Sequence, residues 1–371
     1  MRGRALQLEI DVGAISANAR AVMQAIGPSA RLFACLKGDA YGCGISHVAP
    51  ALSRLGIRQF AVGSLEDAIS IRQTDVDAEI LLYPNCLPDA VAVVESHGLT
   101  ITLNSVEEAS AWNNATTRPL PAFIKIDVGA LRSGVMPHTA GQLANEVRRL
   151  EKLFVVGAYA HLHLPDPVRM RPHALHQLEV FNSAVRQIEA AGVQLRTKMV
   201  AGTAAVMEFP EMDLDAVDPG RMLFGLGFAG TTRSLALRPA IRRWTTRLLL
   251  VKEVTPADVA PYQAPFGLTQ PMRIGLVPLG WGDGMPRPLH PDARVLVRGK
   301  RIPLLPPSHF EHMRVDLTDV SDASYGDEVV IVGQQGTATV SLSEVAAWAG
   351  KDDLHFLGTL PRHIERVAVN D

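Results

Sequence analysis

The chain has 371 residues, which at roughly 150 residues per domain sets a prior of two domains. Apolar residues make up 47% and charged residues 20%, an ordinary globular balance that argues against extensive disorder. Thirty-six basic and 38 acidic side chains leave a net charge of −2 without a basic stripe, so a nucleic-acid partner has no electrostatic support, and no apolar run approaches the ~20 residues that cross a bilayer. The opening MRGRALQLEIDVG is too polar and too alternating for a signal peptide. Three cysteines (Cys35, Cys43, Cys86) show no metal spacing and fit a reduced, cytoplasmic setting.

Up to about residue 230, strand-like and helix-like segments alternate. The strand-like runs are RLFACLK (31–37), QFAVGS (59–64), EILLYP (79–84), LTITLN (99–104), AFIKIDV (122–128), FVVGAYAHL (154–162), QLRTKMVA (194–201) and DLDAVDPG (213–220). Helical periodicity fills most intervals, as in Gly44–Leu55, Leu65–Arg72, Ala140–Leu150 and His173–Ala190. Eight such strands predict a parallel sheet closed as a (β/α)8 TIM barrel. The open doubly wound alternative lacks GxGxxG after its first strand. From residue 231 to 371 the pattern becomes strands joined by turns, with a hairpin glycine in VRGKR and one helix near Ser343–Ala349. The reading is therefore a barrel domain, 1–230, and a mostly β C-terminal domain, 231–371. The strand in 1–12 is a candidate to pair with the second.

Barrel chemistry sits at the C-terminal strand ends, which here carry Lys37, Ser64, Asn85, Asn104, Asp127, His161, Thr203 and Asp218. Lys37 ends an apolar run and precedes a Gly-rich turn. It is either a snorkelling ammonium or a desolvated amine suited to Schiff-base chemistry. The last two ends, VAGTAAV and VDPGRMLFG, offer small residues and free N–H groups, the usual barrel phosphate site. In a closed barrel the first end neighbours the last two. An amine beside an anion cradle points to pyridoxal phosphate.

LKGDAYGCG, KIDVGALRSG (125–134), AYAHL (158–162), VDPGRMLFG (217–225) and LGWGDGMPR (279–287) together resemble the motifs of the alanine racemases, fold type III pyridoxal-phosphate enzymes. The resemblance covers nearly the whole chain. It implies an enzyme acting at Cα of an amino acid, as a cytoplasmic homodimer with shared active sites. By the same resemblance Lys37 holds the cofactor and is one catalytic base. Tyr41, Thr203, Gly220 and Arg221 take the phosphate. Arg132 faces the cofactor and the substrate carboxylate, and His161 lies behind the ring. Lys125 matches a family lysine that can be carbamylated.

Four features depart from the family pattern. The tyrosine that is its second base is Trp281 here, and indole cannot accept a proton. An arginine at the ring nitrogen is replaced by Asp218, as in the EPGR of related decarboxylases; an acid there keeps the nitrogen protonated. The segment PPSHFEHMRVDL (306–317) supplies Phe310 and Glu311 on the substrate side and His309 among the catalytic residues. On a strand, His309 and Glu311 would share one face and could hold a divalent metal, as a His-x-Glu pair resembling those of D-threonine aldolases and D-serine dehydratases. Without metal, His309 would serve as a neutral-pH acid or base. Gly358 replaces an inner-gate tyrosine. The expectation is a racemase with a non-standard second base. The alternative is a lyase, namely an aldolase or dehydratase of a β-hydroxy amino acid or an amino-acid decarboxylase.

Overall fold

The structure is a computed structural model, and residues 5–74, 77–259 and 266–370 are described. Two compact units make up the chain: one spans 13–238, the other combines 1–12 with 239–371. The expected boundary at 230/231 lies in the irregular stretch between Phe224 and Ile241.

The first strand, β1 (Gln7–Asp11), belongs to the second unit. The first unit is built on β2 (Arg31–Cys35), β3 (Gln59–Val62), β4 (Glu79–Leu82), β5 (Ile101–Leu103), β6 (Leu120–Ile126), β7 (Leu153–Ala160), β8 (Thr197–Ala201) and β9 (Ala216–Val217). All are parallel, in the order β4-β3-β2-β9-β8-β7-β6-β5. The ends meet through a parallel bridge between Leu81 and Thr100, where Leu82 N donates to Thr100 O at 2.8 Å and Thr100 N to Ile80 O at 2.9 Å. This is the barrel expected from the alternating pattern. Phe33, Ala61, Leu81, Phe123, Tyr159, Met199 and Ala216, one from each of seven strands, fill its interior as one buried cluster. The mouth therefore has an apolar floor and is not a pore.

The eighth strand differs most from expectation. DLDAVDPG reads as eight residues, yet only Ala216 and Val217 pair. Asp213 is taken instead by Arg233 in a two-pronged ion pair (2.9 and 2.6 Å), Leu214 turns at φ 45°, and Pro219 has no N–H for a ladder. Between strands, Ser64 and Ser105 cap the helices Leu65–Arg72 and Val106–Ala115 by accepting from Asp67 N and Glu108 N, both at 3.1 Å.

In the second unit β1 lies between β10 (Ile241–Arg247), antiparallel, and β18 (Glu365–Val369), parallel. The sheet continues through β11 (Leu250–Val254), β12 (Met272–Val277), β13 (Arg294–Val297), β14 (Lys300–Leu305), β15 (Met313–Asp316) and β16 (Glu328–Gln335), with β17 (Ala338–Val340) on β16. The VRGKR hairpin closes Val297 against Lys300, and its central pair, Arg298 and Gly299, both have positive φ (50° and 76°). That is the primed turn whose twist matches the strands, and glycine meets it without strain. The helix expected near 343–349 is Leu342–Trp348, capped by Ser341.

Candidate active site

Lys37 leaves β2 into a turn of unusual hand. Gly38, Asp39, Ala40 and Tyr41 all sit near φ 55–60°, ψ 50°, or close to it, so three residues bearing a Cβ are left-handed in succession. Such a conformation costs roughly 1–2 kcal/mol per residue and must be held from outside. Asp67 supplies the hold: its carboxylate accepts from Gly38 N at 2.9 Å and Asp39 N at 3.0 Å, while Asp39 Oδ1 accepts from Ile45 N at 2.8 Å. The turn swings Tyr41 back over the barrel mouth. There its hydroxyl is 3.6 Å from Cys35 Sγ and lies so close over Gly220 that a Cβ at 220 would overlap it. Glycine is thus required at 220 for close approach.

Beside the turn, Lys37 Nζ lies 5.4 Å from the centre of the Tyr83 ring, and the Tyr83 hydroxyl donates to Asp218 Oδ2 at 2.7 Å. Asp218 is buried, and its Oδ1 has no hydrogen-bond partner among the described residues. Burial pushes its carboxyl up to about 6, against the pull of the Tyr83 hydroxyl, Lys37 and Lys125. Buried Lys125 donates to Ser133 Oγ at 2.7 Å; burial, then the charges of Arg132 and Lys37, bring its amine down to about 8. Asp127 accepts from Gly129 N, Leu131 N and Arg132 N at 2.9–3.1 Å, which shapes the loop presenting the exposed Arg132. His161 opens to solvent at the mouth. Desolvation by its neighbours, with Arg132, Lys37 and Lys125 nearby, holds it down to about 4, so its ring is neutral at physiological pH. Buried Thr203 accepts from Met222 N at 3.4 Å, and Arg221 stacks over Phe228 at 4.7 Å.

The structure thus brings Lys37, Tyr41, Arg132, His161, Thr203, Asp218, Gly220 and Arg221 to one end of one barrel. The second unit gathers Trp281, His309, Phe310 and Glu311 separately. Trp281 N donates to His309 O and Gly282 N to Phe310 O, both at 2.9 Å, and the two rings meet edge to face at 4.5 Å. Trp281 and Phe310 stay 39% and 56% exposed, a solvent-facing aromatic pair. One expectation needs correcting. His309 and Glu311 are not on a strand but in the loop between Leu305 and Met313, so the shared-face argument fails. Pro306 and Pro307 lack the N–H groups a ladder needs. Among the described residues no three His, Cys, Asp or Glu side chains gather as a metal site, so the divalent metal has no structural support.

Both units match models of known sequence families. Residues 10–227 match "Alanine racemase, N-terminal domain" and residues 241–368 match "Alanine racemase, C-terminal domain". The chain belongs to the alanine racemase family. It is 31% identical over 362 residues to the alanine racemase of Symbiobacterium thermophilum, covering 96% of this chain and 95% of that one. The biosynthetic alanine racemase of Pseudomonas aeruginosa is 28% identical, with a TM-score of 0.80 over 99% of this chain and 100% of that chain. The alanine racemase of Bacillus anthracis, at 23% identity, shares the fold with a TM-score of 0.91.

Alanine racemases use pyridoxal phosphate, and the barrel mouth fits that group. Lys37 offers an amine, Tyr41, Thr203 and the Gly220–Arg221 backbone offer donors where the Tyr41 hydroxyl packs over Gly220, and Asp218 offers a buried acceptor with no hydrogen-bond partner among the described residues. Two contributors escaped the sequence reading. Tyr83 passed as an apolar strand residue of EILLYP, and only its place one residue beyond β4 marked it. Asp67 was legible only as the fourth residue of Ser64-x-x-Asp67, which reads as a helix cap.

Proposed function

We propose that this chain is a pyridoxal-phosphate-dependent amino-acid racemase, an isomerase acting at Cα. The observation that carries the reading is Lys37 at the first barrel strand end, opening the turn that lays Tyr41 over Gly220, in a chain whose two units both match alanine racemase domains. Pyridoxal phosphate, when bound, supplies an electron sink for the pair left when the Cα proton departs. Lys37 would hold it, with Tyr41, Thr203, Gly220 and Arg221 on its phosphate, His161 and Asp218 about its ring, and Arg132 toward the substrate carboxylate. The Lys37 amine carries a proton to or from Cα on one face. Arg132, exposed on a loop pinned by Asp127, orients the substrate for that transfer.

Racemisation needs a second proton carrier on the opposite face. Trp281 has no basic atom, so the role passes to His309, whose exposed imidazole is tied through its backbone to Trp281. The reading places two chains in a homodimer, the second unit of one chain presenting Trp281, His309, Phe310 and Glu311 to the barrel of the other. The exposed Trp281–Phe310 pair supports this. The lyase alternative finds less support: its metal pair is off the strand and has no third ligand among the described residues, and the matched relatives carry the name alanine racemase. Lys125, with an appreciable neutral fraction at pH 8, is able to take up carbon dioxide as a carbamate.

The test incubates purified protein with L- and D-amino acids in D2O. Inversion with deuterium at Cα supports the reading, whereas carbon dioxide or aldehyde released without inversion sinks it. Borohydride should fix the cofactor to a peptide containing Lys37, and Lys37→Ala should lose that adduct.

A further inference from the structure

We propose that Asp218, aimed by Tyr83, accepts a hydrogen bond from a protonated ring nitrogen of pyridoxal phosphate, so that this chain holds its cofactor ring as a cation. The inference rests on the reading of the barrel mouth as a pyridoxal-phosphate site. It starts from the unequal treatment of one carboxylate. Asp218 N donates to Ala201 O at 3.0 Å, which fixes the backbone, and Oδ2 accepts from the Tyr83 hydroxyl at 2.7 Å. Oδ1 is buried and has no hydrogen-bond partner among the described residues. It lies 3.8 Å from the point a Cβ on Gly202 would occupy, and His161 Cε1 lies 3.9 Å from that point. The unpartnered oxygen therefore lies toward Gly202, next to the His161 ring. Buried acceptors without donors are uncommon in folded proteins, and one at the reacting end of a barrel is placed to receive a donor from a bound group.

The chemistry of the cofactor names the donor. Its ring nitrogen stands opposite the carbon that carries the aldehyde, so attachment at Lys37 turns the nitrogen toward the far side of the mouth. The phosphate is served by Tyr41, Thr203 and Gly220. Two other acids at this end of the barrel are committed: Asp127, at a strand end, to the amides of Gly129, Leu131 and Arg132, and Asp67, in the helix after β3, to those of Gly38 and Asp39. Asp218 is the acid left with an open oxygen. Lys37 and Lys125 favour its ionised form, while burial raises the pKa of the Tyr41, Tyr83 and Tyr159 hydroxyls around it and keeps them neutral, and His161 beside it is held neutral as well. Tyr83 is a positioning residue. It touches the carboxylate with its hydroxyl and Lys37 with its ring, so it sets the spacing between the two ends of the site.

Wild type, Asp218→Asn and Tyr83→Phe would be loaded with cofactor labelled with nitrogen-15 in the ring. Borohydride and peptide mapping come first, to establish attachment at Lys37. The nitrogen-15 resonance is then followed from about pH 6 to 9, a range spanning the carboxylate and imidazole regions. The wild-type resonance should stay at its protonated position throughout, and Asp218→Asn should move it to the unprotonated one. In Tyr83→Phe the resonance should titrate within the range, and cofactor should bind about tenfold more weakly, as expected for a misaligned charged hydrogen bond. A role for Tyr83 in packing alone would lower the melting temperature and leave the resonance in place, which would remove Tyr83 from the proposal. An unprotonated wild-type resonance, or the same resonance in Asp218→Asn as in wild type, overturns the assignment of Asp218. Wild-type protein that takes no label at Lys37 overturns the cofactor reading itself, and this inference with it.

Discussion

Asp218 is a residue whose chemistry and stability pull in opposite directions. Burial raises its carboxyl to about 6, above the ordinary ~3.9. Between those values the folded chain binds a proton that the unfolded chain does not, so stability falls as pH rises through the window and remains lower above it. Asp218→Asn removes the ionisation. Cofactor-free Asp218→Asn should therefore be more stable than wild type at pH 8, by roughly 1–3 kcal/mol, and the gap should close near pH 4. Denaturant unfolding at the two pH values checks this. His309 is the proton carrier proposed for the other face of the reaction. His309→Ala should lower kcat for inversion by about 100-fold or more while wash-out of the Cα proton in D2O persists from one enantiomer. Full inversion in that variant would leave the second proton carrier unassigned.

At the scale of elements, the left-handed turn after Lys37 depends on a helix it does not belong to. Asp67→Ala would strip the acceptor from two amides, Gly38 N and Asp39 N. The expected result is a stability loss of about 1–3 kcal/mol together with faster cofactor release, read by unfolding and by dialysis against buffer. Ser64→Ala, which loosens only the cap of the same helix, should cost about 1 kcal/mol and leave cofactor retention intact. Phe123 is buried in the barrel cluster with its ring 6.1 Å from Phe33 and 6.2 Å from Tyr159, and Phe123→Ala should lose about 3–5 kcal/mol. The elements themselves were legible where local patterning decides them, as in Leu65–Arg72, whose predicted and observed bounds coincide. β9 was not, because the ion pair between Asp213 and Arg233 joins residues 20 positions apart and overrides an apolar run.

For the whole molecule, the proposed sharing of sites makes a measurable claim. Lys37→Ala and His309→Ala chains, each strongly impaired in inversion, should recover activity when unfolded and refolded together, because one site in each mixed dimer keeps both residues. Light scattering should give twice the chain mass; a strictly monomeric active protein would end the shared-site reading. A chelator should leave activity unchanged, since the described residues bring no three metal-ligating side chains together.

What the sequence by itself determined is the part written in short-range chemistry: eight strand signals at barrel spacing, a lysine and two small-residue turns at strand ends, and the motifs that mark the family. Trp281 and Asp218 were visible as departures because each is a change of residue type at a motif position. Only the tertiary structure decided which oxygen of Asp218 is open. The donor to the other is Tyr83, 135 positions away, brought near when β4 and β9 enter the same barrel. The same holds for His309 and Glu311. Their spacing suits a strand, but the two prolines before them and the backbone bonds to Trp281 and Gly282 make the segment a loop. Spacing along a chain fixes which groups share a face only where the backbone is regular, and at both places the regularity is set by partners far away in sequence.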